Sequence, residues 1–388
     1  MSEYLKNPIC NFTPLFNMTK KKKNIVSSSF FKIHGGGYKK FDRYINGIRY
    51  INKFIVEEME NFVHRLFVDE SIYNDQKIMS ILRRLKIEIV VYKCPNYMVG
   101  NEHHMGTFGT IVRFFPMFDF PGNDAKIVLI SDIDDQSYEI TLTGVLSQTY
   151  NLFTGLTKRG FIDEIRYATS VKFFKQDAEM EHIIASRQIA KGDLDSKTLI
   201  KFIKKVSKTT ERLSYYPKDM NLINKTSGNF IYGFDEWFIN HDLIKQIKKE
   251  KIPMAVEIRN KLIGYIKVKL FLYKPTREEI QEYKNFFKWV FPRQDFKNIY
   301  NAFEKMKETY NSGDQEMILR IYEYFISVYE TPKEKFYGKK FLDHILSPEY
   351  LGVYSYVQVM FYNTSIENYF FKKAQLPPEY IKYLKSLI

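Results

Sequence analysis

The chain has 388 residues, 45% of them hydrophobic, and its formal net charge is +14. This hydrophobic content excludes a largely disordered chain and is enough for one large domain or two. The basic balance favours anionic partners such as nucleotide phosphates, nucleic acid or an anionic membrane, but an AT-rich genome would also produce many lysines, so charge alone identifies no function.

Two cysteines, Cys10 and Cys94, are too few for a disulfide scaffold and predict a reducing environment, hence a cytoplasmic protein. The N-terminus lacks the apolar core of a signal peptide. The sequence contains no run of about 18 apolar residues, so no transmembrane helix is expected. Residues 1–23 end in four consecutive lysines and predict a basic, flexible tail.

From Asn24 onward, strand-like and helix-like segments alternate. Strands are predicted over Asn24–Ser29, Phe62–Val68, Ile87–Tyr92 and Ala125–Ile130. Four strand–helix units of this kind predict an α/β domain with a mixed, mostly parallel, Rossmann-like sheet flanked by helices, over residues 24–274. Beyond this domain the strand signals fade, and residues 275–388 predict a helical C-terminal extension.

Short polar residues mark the expected starts of two helices. Asn74 or Asp75 is a candidate N-cap for a short helix after the second strand, and Asp195 or Ser196 is a candidate N-cap for a helix that continues to Val206. The rest of the middle of the chain is less regular. Its predicted elements are a strand at Val171–Phe174, a strand at Asn229–Tyr232, a helix at Trp237–Lys249 and a β-hairpin within Ala255–Leu272.

Three of the predicted strands have a cluster of polar residues at or just after their last residue. These clusters are Ser27-Ser28-Ser29, Asp69-Glu70-Ser71 and Asp132-Ile133-Asp134. Because ligands of parallel α/β sheets bind at the carboxyl ends of the strands, we expect the clusters to meet at one edge. Residues i and i+2 of an extended chain point the same way, so Asp132 and Asp134 are both able to reach one Mg²⁺ or Mn²⁺ ion.

Two stretches resemble glycosyltransferases of the GT-A fold. The first is Gly109–Met117, with its Arg113-Phe114-Phe115-Pro116 sequence, followed by the apolar strand and Asp132-Ile133-Asp134. The second is Asn229–Asn240, which is similar to a tyrosine-glycine-X-aspartate-glutamate stretch that opens a late helix in some members. The resemblance covers roughly residues 24–245, and the composition is similar to that of giant-virus glycosyltransferase-like proteins.

The resemblance implies sugar transfer from a nucleotide-sugar donor to a hydroxyl of a glycan or protein acceptor. Asp132 and Asp134 would hold Mn²⁺ or Mg²⁺ on the donor diphosphate, and Arg113 would contact its phosphate or sugar. Asp235 or Glu236 would bind the acceptor, or act as general base in an inverting enzyme. The alternative for this pair is a charged helix start that stabilises the helix dipole.

The same resemblance extends to residues with weaker signals. Ser27, Ser28, Ser29 and Asp69 would line the pocket for the base and ribose, and Arg187 would lie near the donor sugar. His241 and His344 are candidates for a third metal ligand, although each would also fit an ordinary surface or core histidine.

Two other classes of protein stay open. The charge and the many aromatic residues would suit a nucleic-acid-binding protein, but no such signature is visible and the basic residues are scattered, so no nucleic-acid partner is expected. A catalytically inactive glycosyltransferase-like module is the second alternative, against which the intact Asp132, Asp134 and Arg113 argue.

Overall fold

The computed structural model describes residues 10–260 except 18–20, 34–40, 100–102, 105, 119, 135–144, 159, 174–181, 210 and 216–229, together with residues 359–362. The described strands are β1 (Asn11–Pro14), β2 (Lys23–Phe30), β3 (Phe62–Asp69), β4 (Ile87–Lys93), β5 (Met98–Val99), β6 (His103–His104), β7 (Ala125–Ile130), β8 (Tyr167–Phe173), β9 (His182–Lys191), β10 (Met254–Asn260) and β11 (Val359–Tyr362). The described α-helices are α1 (Phe41–Glu58), α2 (Glu70–Tyr73), α3 (Gln76–Leu82), α4 (Val145–Lys158), α5 (Ser196–Val206), α6 (Phe234–Phe238) and α7 (Ile244–Lys249).

The chain divides into two compact units. The described residues up to Thr169 and from Ile183 to Ala255, with Tyr362, form the first unit, and the other described residues fall in the second. In the first unit the sheet order is β1-β4-β3-β2-β7-β9, and the first three residues of β8 follow β9. β4, β3, β2 and β7 are mutually parallel neighbours, whereas β1 pairs antiparallel with β4 and β9 pairs antiparallel with β7. The predicted α/β class, with a mixed sheet flanked by helices, is therefore confirmed.

The sheet core is formed by strands that are buried on both faces. β7 buries five of its six residues, and β3 buries seven of eight, as expected for strands that helices cover on both sides. The helix α1 presents Ile45, Ile48, Ile51 and Ile55 to the core at helical spacing, which explains why this segment folds as an amphipathic helix.

Side-chain caps begin two of the helices whose starts the sequence predicts. The Asp75 carboxylate accepts from the backbone N–H of Ile78 and begins α3, and Asp195 accepts from the N–H of Lys197 and begins α5. Each cap pairs a backbone donor that would otherwise lack a partner at the helix start. Both residues were among the caps that the sequence predicts.

The N-terminal segment differs from its prediction. Residues 10–14 do not form a flexible tail, because β1 pairs with β4 from Asn11↔Lys93 to Pro14↔Val90. A disulfide joins Cys10 to Cys94 beside this pairing, contrary to the expectation of reduced cysteines. The sequence offered only a short Asn-Phe-Thr-Pro run for this edge strand, which is too brief to show a strand period.

Much of the C-terminal third lies outside the described residues. Of the helical extension predicted over 275–388, the structure describes Val359–Tyr362, which is a strand and not a helix. The predicted hairpin at Ala255–Leu272 is described only in its first strand, β10. Within the described part of the chain, no helix is long and apolar enough to cross a membrane.

Candidate functional site

The predicted Asp-X-Asp segment leaves the sheet at the carboxyl end of β7. The pairing of β7 with β2 reaches Ser27↔Ile130, and the Ser131 backbone N–H extends it with a 3.0 Å bond to the Ser27 carbonyl. Ser131 is fully buried, whereas the Asp132 side chain is 37% exposed. The chain therefore passes from the buried sheet to an accessible carboxylate within two residues.

The helix α1 supports this turn from one side. Gly47 packs so closely that a Cβ added there would lie 1.9 Å from the Ile133 carbonyl oxygen. Four residues earlier on the same helix, Arg43 Nε donates to the Asp134 carbonyl at 3.3 Å. The glycine permits the close approach, and the arginine anchors the backbone at the second acid.

Arg113 joins the Asp-X-Asp segment to a distant part of the chain. It lies on the 3₁₀ helix Phe108–Phe118, and its side chain is 5% exposed. One terminal nitrogen donates to the Asp132 carboxylate, and the other donates to Asp235 Oδ2 at 2.6 Å. Burial lowers the pKa of Arg113, but Asp132 and Asp235 outweigh that effect and raise it. The charged form of Arg113 is thus held between carboxylates from two widely separated stretches of the chain.

The Arg113 side chain retains one donor without a partner. Its Nε–H is buried and has no hydrogen-bond acceptor among the described residues. Buried donors are nearly always paired, because an unpaired one loses its bonds to water without replacement. An orphan donor on a buried arginine between two carboxylates is consistent with a site that a ligand completes.

Asp235 is placed by a fixed turn before the helix α6. Gly233 precedes the helix with φ 80°, a conformation that favours glycine. Thr107 donates its hydroxyl to the Ile231 carbonyl at 2.8 Å, and Ser214 donates to the Tyr232 carbonyl at 2.6 Å. The turn is therefore held from two sides, and its position fixes the start of the helix that carries Asp235.

Four carboxylates act electrostatically on Tyr232 of this turn. Burial raises the pKa of its hydroxyl, and negative charges raise it further, in decreasing order those of Glu236, Asp132, Asp235 and Asp134. The four acids that the sequence selects from two separate stretches thus act on one group. We call these four acids the acidic cluster.

The acidic cluster can be tested for its fit to a divalent cation. Among the described residues, no group of three or more His, Cys, Asp or Glu side chains is placed to hold a metal ion. Mg²⁺, however, often takes only one or two carboxylates and completes its shell with substrate phosphates and water. Asp132 and Asp134 offer hard oxygen donors of the type that such a site uses, and one oxygen of Asp132 already accepts from Arg113.

Two of the predicted donor-binding serines have structural roles. Ser27 and Ser28 are fully buried; the Ser27 hydroxyl donates to the Arg113 carbonyl at 2.6 Å, and Ser28 Oγ lies 2.7 Å from His64 Nε2. The structure does not support the prediction that they line a base and ribose pocket, because their hydroxyls are engaged inside the sheet. Ser29 is also buried, although it lies nearer the carboxyl end of β2.

Asp69 also acts within the protein. It is fully buried, caps α2 through the Ile72 N–H at 3.0 Å, and accepts from Ser71 Oγ at 2.8 Å. Burial raises the pKa of Asp69 to about 6, although these hydrogen bonds oppose the shift. Its carboxylate oxygens are occupied by the cap, so the structure does not support the predicted contact with a nucleotide.

The remaining predicted site residues are Arg187, His241 and His344. The β7–β9 pairing ends at Leu129↔Ile189; Ser131 and Arg187 lie two residues further on, so Arg187 is toward the same sheet edge as Asp132. His241 stacks on Trp237 with ring centroids 4.9 Å apart, and the structure does not place it with the acids. His344 lies outside the described residues.

Comparison with known proteins adds no family assignment. No protein-family model matches the chain, and no curated protein matches it either.

Three residues of the site, named below, were not predicted from the sequence. Tyr232 lies inside the Asn229–Asn240 stretch, but nothing in its spacing separates it from neighbouring aromatic residues. Gly47 is a lone glycine inside an amphipathic helix, and this is a usable signal, because such a glycine destabilises a helix unless close packing requires it. Arg43 carries no signal on its own.

Proposed function

We propose that this protein is a metal-dependent glycosyltransferase that transfers a sugar from a nucleotide-diphosphate sugar to an acceptor hydroxyl. One observation carries the proposal: Arg113 binds Asp132 at the end of β7 and Asp235 at the start of α6. The two stretches that resemble GT-A glycosyltransferases are thereby joined at a single guanidinium. The carboxyl end of a parallel strand is also where α/β sheets bind their ligands.

In this proposal each residue has a separate task. Asp132 and Asp134 would hold Mn²⁺ or Mg²⁺, which supplies positive charge to the leaving diphosphate. Arg113 keeps Asp132 and Asp235 at a fixed separation, and its orphan Nε–H is a donor for an oxygen of the bound donor substrate. Asp235 would orient the acceptor hydroxyl or accept its proton. The 37% exposure of Asp132 keeps that carboxylate reachable from solvent.

The test is a panel of nucleotide sugars with Mn²⁺ or Mg²⁺, in which released nucleoside diphosphate is measured. We expect release with at least one donor, loss of release with EDTA, and loss in the double variant Asp132→Asn/Asp134→Asn. The control is Asp163→Asn, an exposed acid at a turn outside the acidic cluster, which should behave as the wild type.

Three outcomes would contradict parts of the proposal. Equally tight donor binding with and without EDTA, measured by calorimetry, would exclude metal bridging by Asp132 and Asp134. A properly folded protein that binds donor without turnover would be the inactive glycosyltransferase-like module. Retention on DNA to high salt, with no nucleotide-sugar binding, would favour a nucleic-acid-binding protein.

A further inference from the structure

The helix α5 separates its charged and apolar residues completely. Its apolar side, Leu199, Phe202, Ile203 and Val206, is buried. Phe202 contacts Phe238 and Trp237 of the next described helical segment, with ring centroids 4.5 and 5.8 Å apart. This apolar side fixes the helix against the protein and leaves its opposite side outward.

The outward side of α5 is occupied by lysine. Lys197, Lys201 and Lys204 recur every three or four residues, so they share one side of the helix, and all are exposed. Lys205 lies beside them, and Lys208 follows in the next turn. The helix contains no aspartate or glutamate. The closest acids in sequence lie beyond its ends, at Asp195, which caps the helix, and at Glu211.

A second helical segment continues this basic surface. Lys205 Nζ lies 3.4 Å from Asp242 and 5.0 Å from the Trp237 ring centre, so α5 adjoins the helical turn Ile239–Leu243. Lys245 and Lys249 follow Asp242 at helical spacing and are exposed. Lys245 and Lys205, one from each helix, both act electrostatically on His241, as does Asp242 with the opposite sign. We define the lysine face as Lys197, Lys201, Lys204, Lys205, Lys208, Lys245 and Lys249.

We propose that the lysine face binds the surface of an anionic lipid bilayer. Each lysine near a negatively charged membrane adds to attraction, and several on one face act together. The proposal is independent of sugar transfer, because the lysine face contains none of the residues assigned to that reaction.

Three features favour a bilayer over nucleic acid. The cations are lysines, whose ammonium groups suit a diffuse anionic surface, whereas arginine is better suited to bidentate phosphate contacts. Single-stranded nucleic acid also requires rings on which bases stack. The indole of Trp237 is already stacked on His241 and has Lys205 over it, so it offers no open platform. The outward side of a helix is also convex, unlike the grooves that hold single strands.

The experiment is sedimentation of the full chain with vesicles of phosphatidylcholine alone or with about one third phosphatidylserine. We expect binding only to the anionic vesicles and its loss as salt rises. Replacing Lys197, Lys201, Lys208 and Lys245 by alanine should lower the partition coefficient by roughly 10²-fold or more, since each lysine contributes about five-fold.

The matched control removes the same charge elsewhere. Lys77, Lys86, Lys126 and Lys158 are exposed and lie outside the lysine face, and their quadruple alanine variant should retain most of the binding. Equal loss in the two quadruple variants would overturn the proposal, as would equal binding to neutral vesicles or no binding by the wild type. Binding to an RNA oligonucleotide that depends on the lysine face, without vesicle binding, would assign the surface to nucleic acid instead. Circular dichroism establishes that each variant is folded.

Discussion

Two buried arginines occupy opposite ends of the parallel strands. Arg65 donates to Glu88 and to both carboxylate oxygens of Asp124, and these partners lie near the amino ends of β4 and β7. Its guanidinium is fully buried, and Phe16 covers it with the ring centre 5.2 Å away. Arg113 lies at the carboxyl end, with a partly exposed Asp132 and an unpaired Nε–H.

The difference shows how the same ion-pair chemistry serves two purposes. Around Arg65 every donor nitrogen is paired with a carboxylate. Around Arg113 the Asp132 carboxylate is partly exposed and the Nε–H is unpaired among the described residues, as expected of a site that a ligand completes. We infer that the amino-end cluster stabilises the sheet, whereas the carboxyl-end cluster is the candidate site of the proposed sugar transfer.

Of the changes that distinguish the Arg113 cluster from the Arg65 cluster, Asp235→Asn should have the largest effect. This change removes charge at nearly constant size, and transfer should fall by roughly 10²–10⁴-fold if Asp235 is the base. Donor affinity, measured by calorimetry, should fall less than turnover, because Asp235 reaches the proposed donor site only through its bond to Arg113. Glu236→Gln is the matched neighbour, and its effect should be smaller, since adjacent helical positions diverge by about 100°. Equal losses of donor affinity and turnover in Asp235→Asn would argue against an acceptor-side role.

At the amino end, Arg65→Met should affect stability and not the chemistry. The variant leaves the buried Asp124 with Lys23, 3.6 Å away, as its remaining cationic partner, and we expect the free energy of unfolding to fall by about 3 kcal/mol. Urea denaturation measures this change, and Arg84→Met, at an exposed arginine, should stay within about 0.5 kcal/mol of the wild type. If the folded Arg65→Met variant lost turnover as Asp235→Asn does, the division between the two ends would be wrong.

His64, which precedes Arg65, should make the stability of the protein depend on pH. Burial lowers the pKa of its imidazole from 6.5 to about 3, so between these two values only the unfolded chain binds the proton. Stability should therefore be lost as the pH falls through this window, by roughly 1 kcal/mol per pH unit. Urea denaturation at pH 6 and pH 4 should show a weaker pH dependence in His64→Asn than in the wild type. The same slope in both proteins would show that His64 does not titrate in this way.

Asp69, at the carboxyl end of β3, should make stability depend on pH in the opposite direction, over a narrower pH range. Burial raises its pKa from 3.8 to about 6, so the folded protein holds a proton that the unfolded chain releases. The associated stability is present below about pH 4 and is lost as the pH rises to 6, by roughly 1 kcal/mol per unit. Asp69→Asn keeps an acceptor for the helix cap and should lack this loss. Thermal unfolding at pH 4 and pH 6 compares the two proteins, and parallel curves would refute the assignment.

The strands and helix caps were predictable because their signals are local. Apolar runs marked β2, β3, β4 and β7 to within a residue or two, and Asp75 and Asp195 preceded their helices. Asp132 was placed at a strand end because a buried strand runs directly into it. These predictions required only a periodicity or a neighbouring residue.

The roles of Ser27 and Asp69 were not predictable in this way. In a strand covered on both faces, no alternation tells which polar side chain turns inward, so the sequence could not separate Ser27 from a ligand contact. Asp69 can either cap a helix or face a ligand, and only tertiary packing decides between them. The pairing of Cys10 with Cys94 likewise depends on β1 returning to the edge of β4.

The close contact at Gly47 has a consequence for how the acidic cluster can be altered. A methyl group at this position would meet the Ile133 carbonyl, and it would shift the backbone that carries Asp132 and Asp134. The positions of the two carboxylates therefore depend partly on how closely α1 packs against their backbone, although α1 contributes no catalytic group. A substitution at Gly47, which has no functional side chain, would therefore change the geometry of the proposed metal site. All the acidic residues of the site would remain in the sequence.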